Sequence, residues 1–200
     1  MPFKWNNFIN QFYMNEDIKT ALDVLRKGGV ILYPTDPIWG IGCDACNEEA
    51  VKRVYGIKNR IDSKSMLVLM ENAALIERYV SEVPEVAYDL MELAVKPLTI
   101  IFDGAHGLAQ NLVAEDGSIG IRITTESFSS ELIRRFKRPI VSTSANISGK
   151  PSPACFDEID REIIDSVDYV VKYRQDDTQK AVPSSIIKLG RGGEVKIIRE

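Results

Sequence analysis

The sequence predicts an α/β domain, a twisted mixed β-sheet with helices packed against it. Three observations lead there. Short apolar runs at residues 30–33, 66–70 and 98–102 alternate with segments whose apolar residues recur at helical spacing. Near the C-terminus the order turns strand-rich, with 185–189 and 195–198 facing each other across Gly190-Arg191-Gly192-Gly193 as a hairpin. No internal repeat, low-complexity stretch or linker divides the 200 residues, a length suited to one large domain.

Composition narrows the class of protein. A hydrophobic fraction of 44% beside 27% charged residues is that of a soluble globular chain with a sizeable core. No stretch approaches the roughly 20 apolar residues that a membrane span needs. The first residues lack the apolar core of a secretory signal. Three cysteines, Cys43, Cys46 and Cys155, make a disulfide framework unexpected and point to a reducing, cytoplasmic setting. A net charge of −4 gives no global attraction to nucleic acid or anionic lipid, so a polyanion would need a local basic site. The single histidine, His106, excludes chemistry that needs two, including most histidine-based zinc sites.

Residues 1–16 show no clear period and read as an N-terminal extension to a domain at 17–200. Asp17 is then expected to cap a helix carrying Ile18, Ala21, Leu22 and Leu25, stopped by Gly28-Gly29. The strand at 30–33 runs into Pro34-Thr35-Asp36-Pro37-Ile38-Trp39-Gly40-Ile41-Gly42, too rich in Pro and Gly to continue as a central strand. Asn47 opens a second helix, with Glu48 and Glu49 in its first turn, where the dipole favours acids. After it come a strand at 66–70, a short helix at 72–80, a longer one at 84–95 and a strand at 98–102. The alternating run 119–123 is a strand, and Ser127 caps a helix through Phe136. Residues 156–164 read as a short helix, 167–171 as a strand and 174–180 as a hydrophilic loop.

The chemistry lies where strands end, as in α/β proteins generally. Residues 139–141 feed Ser142-Thr143-Ser144-Ala145-Asn146-Ile147-Ser148-Gly149-Lys150-Pro151, a dense polar turn that also has the composition of an ordinary loop. Lys58 and Arg60 follow a helix, where cations can bind phosphate or simply satisfy terminal carbonyls. Arg122 sits inside an apolar strand, so it is either at a sheet edge or paired with an anion. Ser184 follows Pro183 at a strand start, and Arg199 ends the last strand, where exposure is the default. There is no G-x-x-x-x-G-K-S/T or helix-opening G-x-G-x-x-G, and Cys43-Asp44-Ala45-Cys46 is a C-x-x-C without a second pair.

Taken in order, Tyr33-Pro34-Thr35-Asp36, Trp39-Gly40-Ile41-Gly42, Lys58-x-Arg60, Gly120-Ile121-Arg122, Ser142-Thr143-Ser144-Ala145-Asn146-x-Ser148-Gly149 and Pro183-Ser184-Ser185 resemble the YrdC-like family. The resemblance runs from about Asp17 to Arg199, with Lys58, Arg60, Ser144 and Asn146 as its most specific set. Pro37 and Trp39 depart from the family's Pro-Thr-Asp-Thr and Tyr-Gly, and Ile61 stands where a proline is common. The resemblance implies a short, single-domain threonylcarbamoyl-AMP synthase with a basic concave cavity. Its substrates would be L-threonine, bicarbonate or carbon dioxide, and ATP with Mg2+, and no dedicated metal site is expected. It further implies ATP at Lys58, Arg60, Ser144, Asn146 and Arg199, and threonine at Thr35, Arg122, Ser142 and Ser184. The product would pass to a transferase complex that modifies transfer RNA, with direct contact to that RNA also allowed. Two other readings stay open: a divergent paralogue with another acyl-adenylate substrate, and a noncatalytic RNA-binding module.

Overall fold

The central constraint is that a sheet of short, mostly buried strands must leave one end open for polar side chains. A computed structural model describes residues 3–59, 66–178 and 183–200. Its strands are β1 (Ile31–Tyr33), β2 (Gly40–Gly42), β3 (Leu67–Met70), β4 (Leu98–Phe102), β5 (Ile119–Ile123), β6 (Ile140–Ser144), β7 (Tyr169–Val170), β8 (Ser185–Leu189) and β9 (Val195–Arg199). They form one sheet in the order β7-β1-β2-β6-β3-β5-β4-β8-β9. Pairings β1–β7, β3–β5 and β4–β8 are parallel and the rest antiparallel, which is the mixed α/β sheet expected.

Five α-helices accompany the sheet among the described residues: α1 (Phe3–Arg26), α2 (Glu48–Ile57), α3 (Glu85–Leu93), α4 (Ser127–Phe136) and α5 (Arg161–Ser166). Helix α2 starts as its sequence predicts, with the Asn47 side chain accepting a hydrogen bond from the Ala50 amide. The apolar stripe of α1, Ile18, Ala21, Leu22 and Leu25, is buried, and α1 packs beside α4. Gly28 ends it at φ 76°, a left-handed conformation that glycine adopts without cost.

Several boundaries differ from expectation, each for a physical reason. Asp17 is no N-cap, because α1 runs unbroken through the polar segment before it. Its carboxylate, 3% exposed, instead accepts from the Tyr169 hydroxyl and from the amides of Lys172 and Tyr173 at 3.0 and 2.7 Å. A residue type that favours helix starts was recruited here by a distant strand end. Likewise α4 is capped by Glu126, whose carboxylate accepts from the Ser129 amide at 2.7 Å, and not by Ser127. The helices expected at 72–80 and 156–164 are in part 3₁₀ turns, Ala73–Arg78 and Phe156–Glu158, and α5 follows the second.

The largest correction concerns the Pro- and Gly-rich run after β1. It turns and returns as β2, antiparallel between β1 and β6 in the middle of the sheet. Glycine is needed there because the space a side chain would occupy is filled. A Cβ on Gly42 would stand 2.6 Å from the Tyr33 ring and 2.6 Å from the Val141 carbonyl oxygen. Gly42→Ala is therefore expected to cost about 2 kcal/mol or more through overpacking, read as a lower midpoint in denaturant unfolding with an unchanged slope.

Candidate active site

A cleft of about 250 Å³ opens over one end of the central strands. Its floor is built by the start of β3, the middle of β4 and β5, and the end of β6, and β8 and β9 close one side. Six of the residues singled out in the sequence line it: Thr35, Arg122, Ser142, Ser144, Ser184 and Arg199. They come from three strands, β5, β6 and β9, and two loops that are distant in sequence, so only the sheet order unites them.

Arg122 dominates the electrostatics. It lies within β5, between β3 and β4, and is 5% exposed, so the sheet-edge alternative does not hold. Its Nε is buried without a hydrogen-bond acceptor, and no hydrogen bond of its guanidinium is found among the described residues. Asp36 Oδ1 stands 3.9 Å from Nε, an ionic contact beyond hydrogen-bond distance. Burial pulls the arginine down from its usual range, opposed by the nearby charge of Asp36. A buried guanidinium with its donors unmet is costly unless an anion completes it. The residues lining the cleft include Arg199 as well and no carboxylate.

The other side chains are held by local contacts. The Thr35 hydroxyl donates to the Ile38 carbonyl, closing the loop that brings Asp36 to the cleft. Asp36 accepts from the Thr124 hydroxyl at 3.0 Å and the Thr125 amide at 2.8 Å, which pins its carboxylate beside Arg122. Ser184 shares a hydrogen bond with Thr99 across 3.1 Å, and its carbonyl accepts from Arg199 Nε and Nη2 at 2.9 and 2.6 Å. This two-pronged contact leaves Arg199 at the rim rather than swinging in solvent. Trp39 packs on Phe156 with ring centroids 4.9 Å apart and forms an aromatic wall.

Lys58 and Asn146 do not line the cleft. Lys58 is 2% exposed, and its ammonium donates to the carbonyls of Ser144 and Asn146 at 2.5 and 2.7 Å. Asn146 accepts from the Ser144 hydroxyl and donates to the carbonyls of Ile147 and Lys150 at 3.0 and 2.7 Å. Together they fix the turn after β6 from behind, with a positive charge directly under it. Arg60 lies outside the described residues.

Sequence reasoning passed over Asp36, Thr99 and Phe156 as members of the site. Thr99 had a signal, a hydroxyl inside an apolar strand, the same anomaly that marked Arg122. Asp36 stood inside a noted motif but gave no sign that its partner would be Arg122. Phe156 had none, since its contact with Trp39 is purely tertiary.

With this geometry in view, similarity to known proteins becomes informative. Residues 23–200 match the family model Sua5/YciO/YrdC, described as "Telomere recombination". The chain belongs to this family. A Methanocaldococcus jannaschii relative is 38% identical over 190 residues, spanning 92% of this chain and 88% of its own. Proteins named threonylcarbamoyl-AMP synthase from Stenotrophomonas maltophilia and Pseudoalteromonas translucida are 33% and 30% identical over 77% of this chain, each covered to 84%. Among solved structures, Pyrococcus abyssi Sua5 complexed with L-threonine superposes with a TM-score of 0.78 at 26% identity. That match covers 86% of this chain and 50% of the Sua5 chain. Escherichia coli YciO gives the same TM-score at 26% identity, over 92% of this chain and 88% of its own. The Sua5/YciO/YrdC fold is thus the observed mixed sheet with its flanking helices.

Asp36→Ala is expected to free Arg122 without unfolding the sheet. The exchange of its Nε–H with water, followed by side-chain NMR, should quicken at least tenfold, and unchanged exchange would remove Asp36 from the site.

Proposed function

We propose that this chain is a threonylcarbamoyl-AMP synthase, a nucleotidyltransferase making threonylcarbamoyl-adenylate and pyrophosphate from L-threonine, bicarbonate or carbon dioxide, and ATP. The observation that carries the reading is the buried Arg122 guanidinium, which lines a cleft whose lining residues include no carboxylate and makes no hydrogen bond among the described residues. An α-carboxylate supplies what it lacks, in the paired geometry that arginine favours. The hydroxyls of Thr35, Ser142 and Ser184 stand around it to hold the amine and side chain of the amino acid. The names of relatives and the threonine complex of Pyrococcus abyssi Sua5 support the same substrate.

The chemistry needs alignment and charge neutralisation more than a protein nucleophile. The threonine amine adds to carbon dioxide to give a carbamate and releases a proton. A carbamate oxygen then attacks the α-phosphorus of ATP, and pyrophosphate leaves with the electron pair of the broken P–O bond. In this reading Ser144 and Arg199 border the nucleotide, Asn146 acts by bracing the turn that carries Ser144, and Arg60 is assigned to the triphosphate. Lys58 contributes by rigidly placing the Ser144–Asn146 turn and by its charge beneath it. Magnesium enters bound to phosphate oxygens and water, as part of the nucleotide substrate. The product is consumed in modifying transfer RNA by a separate transferase complex in the cytoplasm, and the basic cleft allows contact with that RNA. No described helix is long and apolar enough to cross a membrane.

Pyrophosphate release from ATP and bicarbonate tests the reading. Threonine should stimulate it strongly, serine less, and omission of the amino acid should abolish it. Arg122→Ala should lower threonine-dependent release at least tenfold, about 1.4 kcal/mol of transition-state stabilisation, with ATP binding retained. Stimulation by a different amino acid would point to a paralogue, and salt-sensitive RNA binding without turnover to the binding-module alternative. Lys58→Ala should lower activity and also stability, by about 1–3 kcal/mol, because it strands two buried carbonyls.

A further inference from the structure

A second cavity, of about 160 Å³, lies at the opposite end of β3 and β6 from the cleft. The cleft takes Met66, Leu67 and Ser142 from these strands, whereas the second cavity takes Met70, where β3 ends, and Pro139, just before β6 begins. Leu67 to Met70 and Pro139 to Ser142 are three residues each, so at a strand rise of about 3.3 Å per residue the two linings are separated by roughly 10 Å.

The chemistry of this cavity is consistent from floor to rim. Met70, Leu75, Tyr79 and Pro139 give it an apolar floor, and Arg78, Lys137 and Arg138 stand at its mouth. Arg138 is paired with Asp44 at 2.9 Å. Arg78 and Lys137 have no carboxylate within ion-pair distance among the described residues, although the chain carries 29 acids against 25 bases. Glu71 is the one carboxylate among the lining residues, leaving the mouth with a net positive charge. The Tyr79 hydroxyl makes no hydrogen bond among the described residues and is available as a donor.

Backbone conformation adds a separate argument. Lys137 closes α4 in the left-handed conformation, at φ 62°. Glycine or asparagine is favoured at such a position, and any other side chain carries a steric cost. The side chain at this position lines the apolar cavity, so a cation stands beside it at a backbone position that favours glycine.

We infer that this cavity binds a small organic anion, a phosphate or carboxylate joined to an apolar body the size of one ring. The body rests on Met70 and Tyr79, and the anionic group meets Lys137 and Arg78. At about 160 Å³ it is smaller than the proposed ATP cleft, from which its place at the opposite end of β3 and β6 separates it. Its position, on the strands that carry Ser142 and Ser144, makes it an accessory site on the same rigid element.

The test is an NMR titration of the full chain, without ATP or threonine, using phenyl phosphate, phenol and inorganic phosphate as probes. Phenyl phosphate should shift the amides of Met70, Tyr79 and Lys137 saturably, and each fragment alone should bind at least tenfold more weakly. Lys137→Gly should raise the melting temperature, by relieving the left-handed lysine, while weakening phenyl phosphate at least tenfold. Glu71→Gln should tighten it. The inference is overturned if the shifts do not saturate or are confined to the Arg122 cleft. Equal affinity for inorganic phosphate, or unchanged affinity in Lys137→Gly, overturns it as well.

Discussion

The structure depends on keeping one charge where charges are expensive. Arg122 sits in the middle of a nine-stranded sheet, buried between neighbouring strands, with its donors unmet. Asp36 offsets part of the desolvation from 3.9 Å but does not take the hydrogen bonds. This is a compromise: charge compensation close enough to offset part of the cost of burial, and donors left over for a ligand. A direct Asp36–Arg122 fork would occupy the paired donors that a carboxylate ligand uses best.

Asp36 can play that part because it is itself immobilised. The Thr124 hydroxyl that donates to it accepts in turn from the Ser129 hydroxyl at 3.0 Å, and the Ser129 amide donates to the Glu126 carboxylate at 2.7 Å. Glu126 caps α4 and meets Arg174 Nη1 at 3.4 Å. A chain of polar contacts therefore leads from the floor of the cleft, under the start of α4, to the surface loop at 172–178. Such a network rigidifies only when every member is satisfied, and here the open valence is at the cleft end.

The opposite rim is organised from behind. Lys58 holds the turn after β6 by its carbonyls, and Asn146 braces the same turn through its side chain. Trp39, packed on Phe156, supplies an apolar wall. The cleft thus joins a fixed cationic floor, a hydroxyl-lined middle and a rigid aromatic side, a combination suited to a small zwitterion beside a polyphosphate.

Local signals made much of this legible in advance. The alternation of strand and helix, the C-terminal hairpin, the Asn47 cap and the glycine stop of α1 follow from periodicity and turn chemistry, which act over a few residues. Arg122 and the polar turn after β6 stood out because they violate those local patterns. What the sequence left undecided was pairing across distance. The β2 strand forms by pairing with β1 and β6 and needs glycine where Tyr33 and Val141 crowd Gly42, Asp17 is drawn from capping to a remote strand end, and Lys58 turns inward to backbone carbonyls. Each outcome is set by atoms far apart in the chain, so residue identity could name the participants and only the tertiary arrangement could assign their partners.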